Sequence, residues 1–140
     1  KTQPTTIITA VLRALNTLGA RKIAVATPYL DEINRREADY MAATGLEIVN
    51  LQGLNLEKDS DMVRVTPAFI ADFAQQVDRP EADTLFISCG ALRSIEIVDA
   101  LEDRLGKPVV CSNQAMIWDT LRRAGIGDAI AGYGTLLNKH

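Results

Sequence analysis

The stretch Asp83-Thr84-Leu85-Phe86-Ile87-Ser88-Cys89-Gly90-Ala91 decides the fold of this chain. Its first six residues form a short apolar run, which reads as a strand buried on both faces. Two small residues follow, Gly90 and Ala91, and then a helix is expected from about Leu92 to Leu105. A buried strand that turns through small residues into a helix is half of a βαβ unit.

The same unit recurs on either side. Downstream, Gly106-Lys107-Pro108 is a turn and Val109 to Cys111 a short strand, and Ser112 or Asn113 is expected to cap a helix through Trp118 to Ala124 that Gly125 ends. The tail from Gly132 to Leu137 reads as loop. Upstream, Thr5 or Thr6 caps a helix whose apolar positions Ile8, Val11, Leu12, Leu15 and Leu18 recur at helical spacing before Gly19. Lys22 to Ala26 is a strand running into Thr27-Pro28-Tyr29, Asp31 to Thr44 a helix closed by Gly45, and Leu46 to Leu51 the next strand. Gly53 to Val65 is a polar loop with at most a short helical turn, and Thr66-Pro67 opens a further helix. Four strands and five helices in alternation imply right-handed crossovers and a parallel sheet covered on both faces, a three-layer αβα sandwich in one α/β unit.

Size and composition agree. The chain has 140 residues, of which 47% are hydrophobic and 24% charged, enough for one domain with a real core. A formal charge of -3 leaves no footprint for nucleic acid or anionic lipid. Arg35 and Arg36, and likewise Arg122 and Arg123, read as solvated helix faces. No apolar run reaches the roughly 20 residues of a membrane span, and Lys1-Thr2-Gln3-Pro4 does not look like a signal peptide. Cys89 and Cys111 make no disulfide framework, so a reducing, cytoplasmic setting is expected. The chain enters a helix with no strand before it, which suggests part of a longer parent.

In a parallel α/β sheet, ligands bind beyond the carboxyl ends of the strands. That rule selects Thr27-Pro28-Tyr29, Gly53-Leu54-Asn55, Ser88-Cys89-Gly90 and, more weakly, Cys111-Ser112-Asn113. Cys89 stands out. At the expected helix start, the unpaired amides of Gly90, Ala91 and Leu92 and the helix dipole would favour an anion, and a thiol there is a nucleophile or a proton shuttle near neutral pH. The competing reading is a buried small hydrophobe closing a strand, and position alone does not choose between them. Cys111 reads as structural, because no glycine follows to open the backbone. Tyr29 offers a phenol at a strand tip, although packing on its loop is the commoner role. Asn55 and Asn113 are loop or cap residues before they are ligands. His140, the single histidine, is terminal. Zinc is therefore not expected, nor a Cys-His or Ser-His-Asp pair, and Gly90 lacks a phosphate-loop context.

Four runs, in this order, carry a resemblance: T-P-Y-L-D-E-I-N-R-R (27–36), S-C-G-A-L-R-S (88–94), G-K-P-V-V-C-S-N-Q-A (106–115) and A-G-Y-G-T-L-L (131–137). Together they resemble the arylmalonate decarboxylase, maleate isomerase and ectoine-utilisation branch of the aspartate/glutamate racemase superfamily. The resemblance implies one half of a pseudo-symmetric two-domain fold, the C-terminal half, with the active site between the halves. It implies cofactor-independent chemistry at the carbon next to a carboxylate of a small carboxylic acid: an isomerase, racemase or decarboxylase. Cys89 matches the second-half cysteine that delivers or removes a proton. Gly90 and Ala91 match amides that hold a carboxylate, Tyr29 matches a substrate-binding tyrosine, and Asn55 lies near a polar substrate-binding position.

The departures from the family matter as well. A first half, with its own cysteine or a Gly-Thr-Ser-type loop, would come from an N-terminal segment or a partner chain. Cys111 cannot stand in for it, since it matches a position usually held by a small residue. The Cys-Gly-Ala-Leu-Arg run favours the decarboxylase or ectoine-utilisation side over maleate isomerases. The sheet is expected to end in an edge that the other half covers, with residues 132–137 packing toward that half and a tendency of copies to associate. The alternative reading is a non-catalytic carboxylate-binding or regulatory module on the same scaffold.

Overall fold

A computed structural model describes residues 3–140 of the chain. The leader expectation rests in part on Lys1 and Thr2, which lie outside the described residues. Four strands form one parallel sheet: β1 (Lys22–Thr27), β2 (Glu47–Gly53), β3 (Thr84–Ile87) and β4 (Val109–Cys111), in the order β2-β1-β3-β4. Around them lie α1 (Ile7–Thr17), α2 (Asp31–Ala43), α3 (Asp59–Met62), α4 (Pro67–Val77), α5 (Val98–Leu105), α6 (Ser112–Arg123) and α7 (Thr135–Lys139).

The apolar strands have a side chain to bury on each face, and two cores result. Ile23, Val25, Phe86 and Val110 pack with α1, α6, α7 and Met41 of α2. Ala24, Ala26, Leu85, Ile87, Val109 and Cys111 pack with α4, α5 and Met62 of α3. Each fully buried large apolar side chain is worth about 1.5–3 kcal/mol, so the expected three-layer arrangement follows from the strand sequences themselves. The edge strand β2 is the least buried of the four. Among the described residues, no helix is long and apolar enough to cross a membrane.

Local signals place most helix ends. Thr6, not Thr5, caps α1 by accepting the Thr9 N–H at 3.2 Å, and Thr66 caps α4 ahead of Pro67. The cap of α6 departs from the sequence reading. The N-cap is Cys111, whose sulfur accepts the Gln114 N–H while the Gln114 side chain accepts the Cys111 N–H at 3.2 Å. Arg122 and Arg123 are not a solvated face either. Arg122 donates to the carbonyls of Ile126, Asp128 and His140, which ties down the C-terminal segment, and Arg123 pairs with buried Asp119.

Two further corrections concern the chain after Cys89 and the tail. The helix expected from Leu92 begins only at Val98, after a 3₁₀ turn over Ile95–Ile97, and residues 88–94 are irregular. Contacts distant in sequence hold that loop: the Asn113 side chain donates to the Leu92 carbonyl at 3.2 Å, and Ser94 is fully buried. The tail contains α7 instead of loop, and it packs on its own domain rather than outward. Glu102 accepts the Thr135 N–H at 2.7 Å, Asp99 accepts the Gly134 N–H at 3.2 Å, and Leu136 and Leu137 are buried in the core.

Gly134 makes that docking possible, and it gives a stability prediction. Its φ is +83°, and an added Cβ would sit 2.4 Å from Val98 Cγ1 and 2.9 Å from Gln114 Nε2. Gly134→Ala is expected to lose about 1–3 kcal/mol by overpacking, on top of about 1–2 kcal/mol for the left-handed backbone. Gly125→Ala, with a φ of +78° and nothing within 4 Å, should carry only the second cost. Urea unfolding of the two variants makes the comparison, and equal losses would contradict the packing argument.

Candidate active site

The strand order fixes where a ligand can enter. From β1 the chain first turns to one side to form β2, then crosses to β3 on the other side. The crevice at this switch point lies beyond the carboxyl ends of β1 and β3. Ala26 pairs with Ile87, and the Ser88 N–H donates to the Ala26 carbonyl at 2.9 Å. Thr27-Pro28-Tyr29 and Ser88-Cys89-Gly90 therefore emerge side by side.

A small buried network aims Tyr29. Thr27 Oγ1 donates to Asn34 Oδ1 at 2.5 Å and accepts the Tyr29 N–H at 3.2 Å, while Asn34 Nδ2 donates to the Tyr29 carbonyl at 3.2 Å. Gly53 closes the network from β2. A Cβ there would lie 2.3 Å from the Tyr29 carbonyl oxygen and 2.4 Å from Asn34 Nδ2, so only glycine lets the strand pass.

Cys89 adopts φ +94°, a left-handed conformation rare for a residue with a side chain. Such a backbone costs on the order of 1–3 kcal/mol and concentrates at functional sites. Ser112 at the tip of β4 holds it by accepting the Cys89 N–H at 3.0 Å. The sulfur receives the Ala91 N–H at 3.3 Å and touches Met62 Sδ at 3.9 Å. Because no helix begins at residue 90, the helix-dipole argument for this thiol does not hold. A single backbone amide in a tight turn takes its place.

Cys89 and Tyr29 share a cleft of about 500 Å³ with Ser88, Gly90, Ser112 and Glu37, roofed by Ile7, Ile8 and Val11 of α1. Burial pushes the Tyr29 phenol far above its ordinary value, and the neighbouring Cys89 thiol raises it further while Ser88 opposes. The phenol therefore holds its proton and is a hydrogen-bond donor. Burial also raises the Glu37 carboxyl, again with Ser88 opposing.

Of the residues singled out in the sequence, Cys89, Tyr29 and Gly90 line one cleft, and Ala91 joins them through its N–H. Asn55 does not. It is exposed at φ +57° in the loop after β2, outside the cleft lining, because β2 runs on to Gly53 and the chain then turns away beside Pro28. Cys111 is fully buried, and burial raises its thiol above the ordinary value. Ser88, Ser112 and Glu37 were not singled out. The two serines were visible as strand-tip residues inside the quoted runs, whereas nothing in the spacing of α2 marks Glu37. Among the described residues, no three His, Cys, Asp or Glu side chains are grouped to hold a metal ion.

The profile of the arylmalonate decarboxylase family matches residues 2–137. This chain belongs to the arylmalonate decarboxylase family. Arylmalonate decarboxylase of Bordetella bronchiseptica is 38% identical over 138 residues, which cover 96% of this chain and 58% of that protein. Maleate isomerase of Geobacillus stearothermophilus is 25% identical over 130 residues, covering 92% of this chain and 52% of that protein. A crystal structure of arylmalonate decarboxylase superposes with a TM-score of 0.87 at 38% identity, over 95% of this chain and 60% of the other. The expected α/β architecture and the racemase-superfamily branch are thus both borne out. The chain spans between half and three-fifths of the length of these relatives.

Proposed function

We propose that this chain is the cysteine-bearing half of a two-half, cofactor-independent enzyme that transfers a proton at the carbon beside a carboxylate of a small carboxylic acid. One observation carries the proposal. At the switch point of the sheet, a thiol on a left-handed backbone faces a phenol that keeps its proton, inside a cleft sized for a small acid.

Each group then has a task. Tyr29 donates a hydrogen bond to a substrate carboxylate. Gly90, exposed at the cleft and free of a side chain, lets that carboxylate approach the backbone. Cys89 Sγ gives its proton to the carbon, or takes one from it, and the Ala91 N–H supports the resulting thiolate. The names of the relatives offer decarboxylation of a malonate-type acid and isomerisation of maleate as the two reactions. The 38% identity to the decarboxylase, against 25% to the isomerase, favours the first. The opposing face of the carbon would be served by an N-terminal half or partner chain. Two unpaired cysteines suit a reducing, cytoplasmic setting.

No observation specifically favours a non-catalytic carboxylate-binding module. Incubation of the longer protein in D2O with malonate-type acids, maleate and amino acids decides between the two readings. The expected result is deuterium at the carbon next to the retained carboxylate of one substrate class. Carboxylate binding with neither exchange nor turnover would establish the non-catalytic module instead.

A further inference from the structure

A thiol that gives up its proton in each cycle must recover it, and the cleft contains an acid with no task so far. Glu37 sits one helical turn past Ile33 on α2, half-buried in the cleft lining, and its neighbour Arg36, which lines the same cleft, is held in a 2.6 Å pair with Glu32. Glu37, Ser88, Tyr29 and Cys89 line this one cleft together, with Ser88 acting on both the Glu37 carboxyl and the Tyr29 phenol and the Cys89 thiol on the phenol. Four proton-carrying groups thus share one cleft.

We propose that Glu37 is the proton reservoir that refills Cys89, acting through Ser88 and Tyr29 as a positioning residue rather than by touching substrate. This rests on Cys89 being the proton donor of the reaction. The S–H bond of Cys89 breaks as a C–H bond forms, and once the product has left and its carboxylate has released the Tyr29 hydroxyl, the thiolate takes the phenolic proton of Tyr29. Tyr29 takes that of Ser88, and Ser88 takes that of Glu37. The Glu37 carboxylate then accepts a proton from water at the cleft mouth, so no group ends the cycle changed. The direction of the two perturbed groups fits this order. A phenol held protonated passes a proton on only as it receives one, and a carboxyl raised by burial keeps its proton to higher pH than a free carboxylate.

The surroundings of Glu37 introduce few competing charges. Arg36 and Tyr40 flank it on α2, and Tyr29 and Cys89 face it from the strand tips. The residues of α1 that line the cleft, Ile7, Ile8 and Val11, are apolar. The reservoir is full below the raised Glu37 value and empties as pH rises through it, so kcat of the longer protein should fall over that window.

The test is Glu37→Gln in the longer protein, with kcat and KM followed across pH. The expected result is a kcat lower by about 10²-fold, the low end for a proton-handling group, with KM little changed and the descending limb of the pH profile gone. Ser88→Ala, which interrupts the relay with Glu37 in place, should give the same loss, and the double variant should be no worse than either alone. If Glu37→Gln does not fold, the Ser88→Ala profile carries the test. Wild-type kcat and pH profile in these variants, alongside an inactive Cys89→Ser, would overturn the relay alone. Wild-type turnover in Cys89→Ser would overturn the underlying function as well as the relay.

Discussion

Assayed alone, the 140-residue chain is expected to turn over none of the malonate-type, maleate or amino-acid substrates. Mixed with a separately produced N-terminal segment of the longer protein, it should recover activity that rises with the concentration of that segment. Proton transfer at one carbon, coupled to loss or rearrangement of a carboxylate, needs groups on both faces of that carbon, and this cleft supplies the Cys89 face. The mouth of the cleft is also open to solvent. Ile7, Ile33 and Tyr40 are 47%, 41% and 52% exposed around it, and a thiolate or carbanion formed there would meet bulk water. Covering such surface is favourable by about 25 cal/mol per Å², which would help a second half to associate, and it would strengthen each polar contact inside. Turnover by the chain alone at the rate of the intact protein would place both groups within these residues and refute the half-site arrangement.

How much of this was legible in the sequence depends on the range of the forces involved. The strands were, because Ile23 to Ala26, Leu85 to Ile87 and Val109 to Cys111 are apolar on both faces, and that pattern needs no knowledge of partners. The placing of Cys89 and Tyr29 at strand tips followed from it, and strand order brings the tips of β1 and β3 together at the switch point. The backbone at Cys89 was not legible. Its φ of +94° is held by Ser112, and the loop beyond it by Asn113, both more than twenty residues away. A local reading therefore continued the helix back to Leu92 and credited the thiol with a dipole it does not have. Asn55 was suggested by the resemblance, and it lies in the exposed loop after β2, outside the cleft lining. The helix α7 is five residues long, too short for a periodic signal, and is fixed by Asp99 and Glu102 of α5. Glu37 was hidden for a similar reason. A glutamate on a polar helix reads as solvated until it is seen to line the same cleft as Ser88 and Tyr29.

The central claim is that Cys89 carries the proton, and one substitution tests it most directly. In the intact longer protein, Cys89→Ser keeps the size of the side chain and the hydrogen bond from the Cys89 backbone to Ser112, so folding should be little affected. A serine hydroxyl, however, gives up its proton far less readily than a thiol. Turnover and deuterium incorporation from D2O should both drop by about 10²- to 10⁴-fold, the range for a positioned general acid. Cys111→Ser is the control. Its hydroxyl can still accept the Gln114 N–H as the cap of α6, so stability should change little despite full burial, and kcat per folded molecule should be unchanged. The account predicts a collapse of proton incorporation in Cys89→Ser and its survival in Cys111→Ser. Wild-type incorporation in Cys89→Ser would contradict it.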